Sequence, residues 1–272
     1  MDLDEMVNDI ERAIITAVSG LKKRTDIIEG SLVEQLRKLM KSELTLRGGR
    51  ILRTQDNIKA LNKIKRGLAA FVNSIGGDDL GLDDAFNKIS TYIINNYRDF
   101  SDEEAIGLAN LVKSQSIEQA TDLFIAEGIN SEVIPELSSI IRNGVINGLT
   151  IEETLSAVEE LVSSGLINNA AKRITIDSLV GFAREYVNAI TSNFDAEWYL
   201  FEGALRSSSR SFCESRAGKY FRKSEIESWV TLDWQGKRAG TNKETIFRFV
   251  GGYNCYHLLL PVPESIVPEK YK

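Results

Sequence analysis

Cys213, Cys255 and His257 are both cysteines and the single histidine of a 272-residue chain. Thiolate sulfur and imidazole nitrogen are ligands that zinc prefers, so the three could converge on one ion. They supply three donors, leaving the fourth position to a carboxylate such as Asp233, to a water, or to nothing. The Cys-x-His spacing is tighter than the gap of about two to four residues found in common zinc knuckles. Two other readings stay open. One is a Cys213–Cys255 disulfide; the other, which asks least of the sequence, is a pair of buried small cysteines beside a hydrogen-bonded histidine. No cofactor is expected beyond such a structural zinc.

Catalysis finds little support, and the chain is expected not to be an enzyme. A strand would carry Cys255 and His257 on one face without aligning them as nucleophile and base, and no oxyanion motif flanks them. Gly218-Lys219 and Gly236-Lys237 lack the upstream glycine of a phosphate-binding loop. The acidic pairs Asp78-Asp79, Asp83-Asp84, Glu103-Glu104, Glu152-Glu153 and Glu159-Glu160 read mostly as first-turn helix residues placed there by the macrodipole.

The elements that would position these residues follow from proline and glycine. Three of four prolines (Pro261, Pro263, Pro268) fall in the last twelve residues, and the first 134 residues have none. A proline-free stretch suits long helices, since an interior proline costs about 3 kcal/mol. Leu32, Leu36, Leu39, Met40, Leu44 and Leu46 form one helical stripe, and Ile58, Leu61, Ile64, Leu68, Phe71, Val72 and Ile75 form a second. Gly48-Gly49 separates them, and Gly76-Gly77-Asp78-Asp79 ends the second. Beyond residue 83 the helices shorten. Capping signals at Ser101-Asp102-Glu103-Glu104, Ser116-Ile117-Glu118-Gln119 and Thr150-Ile151-Glu152-Glu153 open them, and Gly128, Gly148 and Gly165 close them. Long-helix spacing returns from about Asn168 to Ala204, with Trp198 at its end. After Ser207-Ser208-Ser209 the composition turns to strand: Lys219–Arg222, Ile246–Val250 and Tyr256–Leu260, with a short helix at Ser224–Trp229. The expected fold is mainly α, an elongated multi-helix N-terminal region with a small α+β C-terminal module. The expected division is 1–80 (long helices with a basic belt), 81–204 (an acidic helical domain) and 205–272 (the small module). A module of about 65 residues is marginal alone. Gly251-Gly252 and Asn254 predict a positive-φ turn that delivers Cys255 and His257 beside Cys213.

The run Ser211-Phe-Cys213-Glu-Ser-Arg216-Ala-Gly218-Lys219, then Trp234-Gln-Gly236-Lys237, then Gly251-Gly252-Tyr-Asn254-Cys255-Tyr-His257-Leu-Leu-Leu-Pro261-Val262 resembles the C-terminal module of the phage Mu F-like head morphogenesis family, the minor head proteins. Members show an Arg-rich lead into a Cys, a Gly-Lys pair, and a closing Gly-Gly-x-Asn-Cys-x-His with Leu-Pro. The resemblance covers the tail only. Tyr256 stands where members often carry Arg, and Ala217 where a polar residue is common. It implies a virion component, located in the capsid or at the portal vertex and in the bacterial cytoplasm during assembly. Such a protein would be present in several copies, would dock on portal or major capsid protein, and would serve head assembly or DNA packaging and ejection. The alternative is a phage-packaged, host-directed effector whose helical region carries the activity.

Charge segregation bears on partners. Thirty-three basic against 39 acidic residues give −6. Residues 1–21 carry −4, residues 22–66 carry +8, residues 67–204 carry −15, and residues 205–272 carry +5. The basic belt proposes Lys22, Lys23, Arg24, Arg47, Arg50, Arg53, Lys63, Lys65 and Arg66 as contacts to viral DNA, through counterion release that needs no sequence reading. It reads equally as an ordinary solvated face. A hydrophobic fraction of 43% with 26% charge excludes wholesale disorder. No apolar run reaches membrane length, and the acidic start does not read as a signal peptide, so a soluble protein with no membrane partner is expected.

Overall fold

A computed structural model describes residues 2–76 and 80–272. The turn expected at Gly76-Gly77-Asp78-Asp79 lies, from Gly77 to Asp79, outside the described residues. Helix α1 runs Leu3–Glu43, 41 residues, and the stripe read from the sequence is its buried face, with Leu32, Leu36 and Met40 nearly inaccessible. Leu46 does not continue it. The chain turns into a hairpin of β1 Leu46–Arg47 and β2 Arg50–Ile51. Its two loop residues are Gly48 and Gly49, at φ 58° and 78°. A tight two-residue hairpin of this kind requires positive φ at both positions, so the glycines build the turn, α1 having already ended at Glu43. Thr54 caps α2, Gln55–Val72. The buried Asn57 ties hairpin to helix by donating to the Thr45 and Leu52 carbonyls and accepting from the Thr45 N–H.

Helix α3 spans Leu82–Tyr97 and α4 spans Glu103–Leu123. Asp102 caps α4 by accepting from the Ala105 N–H at 2.8 Å, while the Ser101 hydroxyl donates back to the Tyr97 carbonyl. Ser116, expected to open a helix, lies inside α4 and is buried. A cap residue starts a helix only where the chain arrives non-helical, and nothing upstream of Ser116 breaks the helix. Gly128, expected to close one, lies within a ten-residue π-helical stretch, Phe124–Val133. A Cβ there would sit 3.2 Å from Phe124 and 3.4 Å from Ala170, so Gly128 serves packing. Helix α5, Ile134–Asn147, has Pro135 in its first turn and ends on left-handed Gly148. The complete capping box at Thr150 and Glu153 opens α6, Ile151–Ser163. Helix α7 spans Leu166–Ile190.

The chain leaves α7 well before residue 204. Trp198–Glu202 is strand β3, the centre of a three-stranded antiparallel sheet ordered β4-β3-β5, with β4 Lys219–Arg222 and β5 Leu258–Val262. Trp198 pairs with Arg222 on one side and Val262 on the other. A module boundary at 205 would remove the central strand, and Trp198 is a strand residue rather than a helix end. Ile246–Val250, expected as strand, contains a short helix, α10, Ile246–Phe249; the preceding short helices are α8, Ser211–Glu214, and α9, Lys223–Ser228. Pro261 is accommodated in edge strand β5, where no ladder donor is missed. Its carbonyl accepts from the buried Tyr97 hydroxyl at 3.1 Å.

The described residues form two compact units, both discontinuous: Met1–Ala17, Leu82–Ile117 and Thr175–Lys272 in one, Val18–Gly81 and Glu118–Ile174 in the other. This replaces the sequential division 1–80, 81–204, 205–272. Charge and proline content follow the chain, whereas packing joins segments far apart in it. Among the described residues no helix is long and apolar enough to cross a membrane.

Candidate metal centre

The C-terminal module folds around one apolar cluster: Phe201, Phe212, Cys213, Ile226, Trp229, Ile246, Val250, Cys255 and Leu259. Cys213 enters from α8, whose first turn places its N–H 2.8 Å from the Arg210 carbonyl. Cys255 and His257 arrive after a turn in which Gly251, Gly252 and Asn254 all take positive φ, at 68°, 86° and 55°. Both glycines are also forced by space. A Cβ on Gly251 would collide with the Cys255 sulfur, and one on Gly252 with the Gly236 carbonyl. Gly203 makes room in the same way, since its Cβ would lie 2.8 Å from the His257 Cα.

Two arginines hold the turn. Arg210 donates to the Gly251 and Tyr253 carbonyls at 3.1 and 2.7 Å. Arg184, in α7, is 2% exposed and donates to the carbonyls of Cys255 (2.6 Å), His257 (2.9 and 3.1 Å) and Arg248 (3.2 Å). Asp177 accepts from the Asn254 N–H at 2.9 Å and pairs with Arg238 at 3.3 Å. Arg184 was not legible as a site residue. The one signal for it is its place at i+4 from Val180 and i−3 from Val187, an arginine on an apolar stripe.

Within this frame Cys213 Sγ lies 3.7 Å from Cys255 Sγ, and Cys255 Sγ lies 3.6 Å from His257 Nδ1. One ligand atom from each residue falls within 4.8 Å of the others, and all three residues are buried. The cysteines are free. Zinc bonds of roughly 2.3 Å to sulfur and 2.05 Å to nitrogen, at tetrahedral angles, give edges of about 3.8 Å between sulfurs and about 3.6 Å between sulfur and nitrogen. The two separations that involve Cys255 match those edges, and the third, from Cys213 to the ring, lies within 4.8 Å. Asp233 does not join the group; it is exposed, and the cluster contains only the two cysteines and the histidine among the described residues.

The electrostatics act in opposite directions on the two thiols. The Cys255 thiol is held well below its ordinary pKa, first by a hydrogen bond from Cys213, then by His257 and the Arg184 charge, against the opposing effect of burial. The same bond, with burial, pushes Cys213 up. His257 Nε2 is buried with no hydrogen-bond partner. An unsatisfied buried group costs about 1–3 kcal/mol, and an ion at Nδ1, the nitrogen beside Cys255, would leave that cost in place. A polar cavity of about 30 Å³ adjoins the cluster, lined by Cys213, Asn254–His257 and residues of the loop 204–210. That is room for one water.

No family model, curated protein or solved structure matches the chain.

The Tyr256 ring lies under the Arg206 guanidinium, 3.8 Å from it. The nine basic residues singled out for DNA all belong to the unit Val18–Gly81 with Glu118–Ile174, and all are exposed. Several already have partners: Lys22 with Asp26 (2.9 Å), Lys63 with Glu43 (3.2 Å), Arg50 with Glu153 (3.8 Å), Arg53 with the Asn147 carbonyl (2.7 Å) and Arg66 with the Asn62 carbonyl (3.4 Å). Lys22, Lys23 and Arg24 lie on α1 roughly 30 Å, at 1.5 Å per residue, from the hairpin that bears Arg47 and Arg50. The belt is therefore an extended series of cations, without the concentration of a single patch.

Proposed function

We propose that this chain is a minor structural protein of a tailed-phage head, docking on portal or major capsid protein and acting in head assembly or in DNA packaging and delivery. The observation that carries the reading is the convergence of the Mu F-like residues. The motif is split across 211–219, 234–237 and 251–262, yet its parts serve one construction. Cys213, Cys255 and His257 meet in one core; Gly251 and Gly252 pack against Cys255 and the Gly236 carbonyl; Arg210 closes the turn. Scattered chance matches would have no reason to depend on one another sterically.

The sheet and its buried thiols form the module that marks such head proteins, and the helical units supply the docking surface. The exposed cations between Lys22 and Arg66 face viral DNA, to which they contribute non-specific, salt-sensitive attraction. Co-purification with empty and with DNA-filled heads tests the reading. The chain should band with both particles in a density gradient. Recovery only as a free monomer, absent from every particle fraction, would sink it.

A further inference from the structure

We propose that Cys213, Cys255 and His257 form a zinc site with one open position, filled by a small exogenous ligand held in the adjoining cavity. Four observations independent of the head-protein reading support it. Two of the three ligand-atom separations stand at the edge lengths of a tetrahedral site, 3.7 Å between sulfurs and 3.6 Å between the Cys255 sulfur and the ring nitrogen, and the third lies within 4.8 Å. All three residues are fixed before any ion arrives: Arg184 clamps the Cys255 and His257 carbonyls, and Gly251 has no room for a side chain beside the sulfurs. Preorganised donors lose little on binding and exclude metals that need more ligands. His257 is 3% exposed, so its ring is held in the core beside the sulfurs and does not swing free in solvent.

The fourth observation is the cavity. About 30 Å³ beside the three ligands accommodates a water but no further side chain of the group, and exposed Ala204 and Ser208 in its lining place it toward solvent. Three protein ligands and a water are the arrangement of an accessible zinc site, in contrast to the four protein ligands of a closed one. Binding is a ligand exchange without redox change. Two Zn–S bonds and one Zn–N bond form, waters leave the hydrated ion, and each sulfur protonated beforehand gives its proton to solvent.

The test uses the full chain, purified under reducing conditions from zinc-supplemented cells and dialysed before elemental analysis. One zinc per chain is expected. Cobalt(II) added to the stripped, reduced protein should give thiolate-to-cobalt charge-transfer bands and the intense visible bands of four-coordinate geometry. Azide should shift those visible bands by replacing the water. Cys213→Ser and His257→Gln should each lower zinc affinity at least tenfold, with helical circular dichroism establishing that the variants are folded. Wild-type protein without stoichiometric zinc and without a cobalt spectrum would overturn the site, as would a Cys213–Cys255 disulfide in the reduced preparation. Zinc retained undiminished by both variants would overturn the ligand assignment. A cobalt spectrum indifferent to azide would overturn the open position.

Discussion

Gly252→Val addresses the turn on which the C-terminal module depends. Gly252 sits at φ 86°, and a Cβ there would collide with the Gly236 carbonyl. That carbonyl is backbone, and it also accepts the Tyr253 N–H at 3.0 Å, so it cannot yield as a flexible side chain would. The left-handed conformation costs a β-branched residue about 1–2 kcal/mol, and forced overpacking adds about 1–3 kcal/mol. The expected destabilisation is thus about 2–5 kcal/mol. Urea unfolding followed by tryptophan fluorescence is the assay, because all three tryptophans (Trp198, Trp229 and Trp234) lie in or beside the sheet. The module shares a compact unit with Leu82–Ile117, so part of the helical circular dichroism should move with the fluorescence. Gly107→Ala is the control. Gly107 has no positive φ and open space around its Cβ position, so this change should stabilise by about 0.5–1 kcal/mol through helix propensity. A Gly252→Val protein unfolding at the wild-type urea concentration would refute the steric argument.

Arg184→Met removes the donors that satisfy three carbonyls around the Cys–His turn; a loss of about 3 kcal/mol in the same fluorescence transition is expected, and a loss below about 0.5 kcal/mol would show that the clamp is dispensable. Thr150→Ala deletes the capping box of α6 and should cost about 1 kcal/mol, read by circular dichroism in urea with an unchanged midpoint as the failing result. Exchanging Lys23, Arg47 and Lys65 together for Gln should weaken binding to duplex DNA and flatten its log–log salt dependence by about 0.9 for each phosphate no longer neutralised. If affinity and slope both stay at wild-type values, these cations are only a solvated face.

The helical part of the fold was legible because its signals are local. Leu32, Leu36 and Met40 at helical spacing, Gly48-Gly49 in the tight turn, and Thr150 with Glu153 each declare their structure within a few residues. The structure departs from expectation where local signals are ambiguous or the decision is made elsewhere. Trp198–Glu202 follows a helical stripe closely enough to read as its continuation, and becomes a strand only because β4 and β5 flank it. Ile246–Val250 has strand composition, but the turn of α10 packs Ile246 into the module core. The convergence of Cys213 and Cys255 was readable from Gly251-Gly252 and Asn254, since few other residues tolerate that turn. Arg184 was not, because its partners are carbonyls some 70 positions away. The two discontinuous units were hidden for the same reason: composition records neighbours in sequence, not in space.

Imaging of purified particles tests the head-protein reading most directly. A reconstruction of DNA-filled heads from the producing phage, made without imposed symmetry at the portal vertex, should contain density that accommodates the three-stranded sheet at residues 198–262 and the helices packed with it, at the portal or on the inner face of the shell. A reconstruction in which every protein density is accounted for by other chains, from particles whose mass spectra also lack this one, would contradict the account.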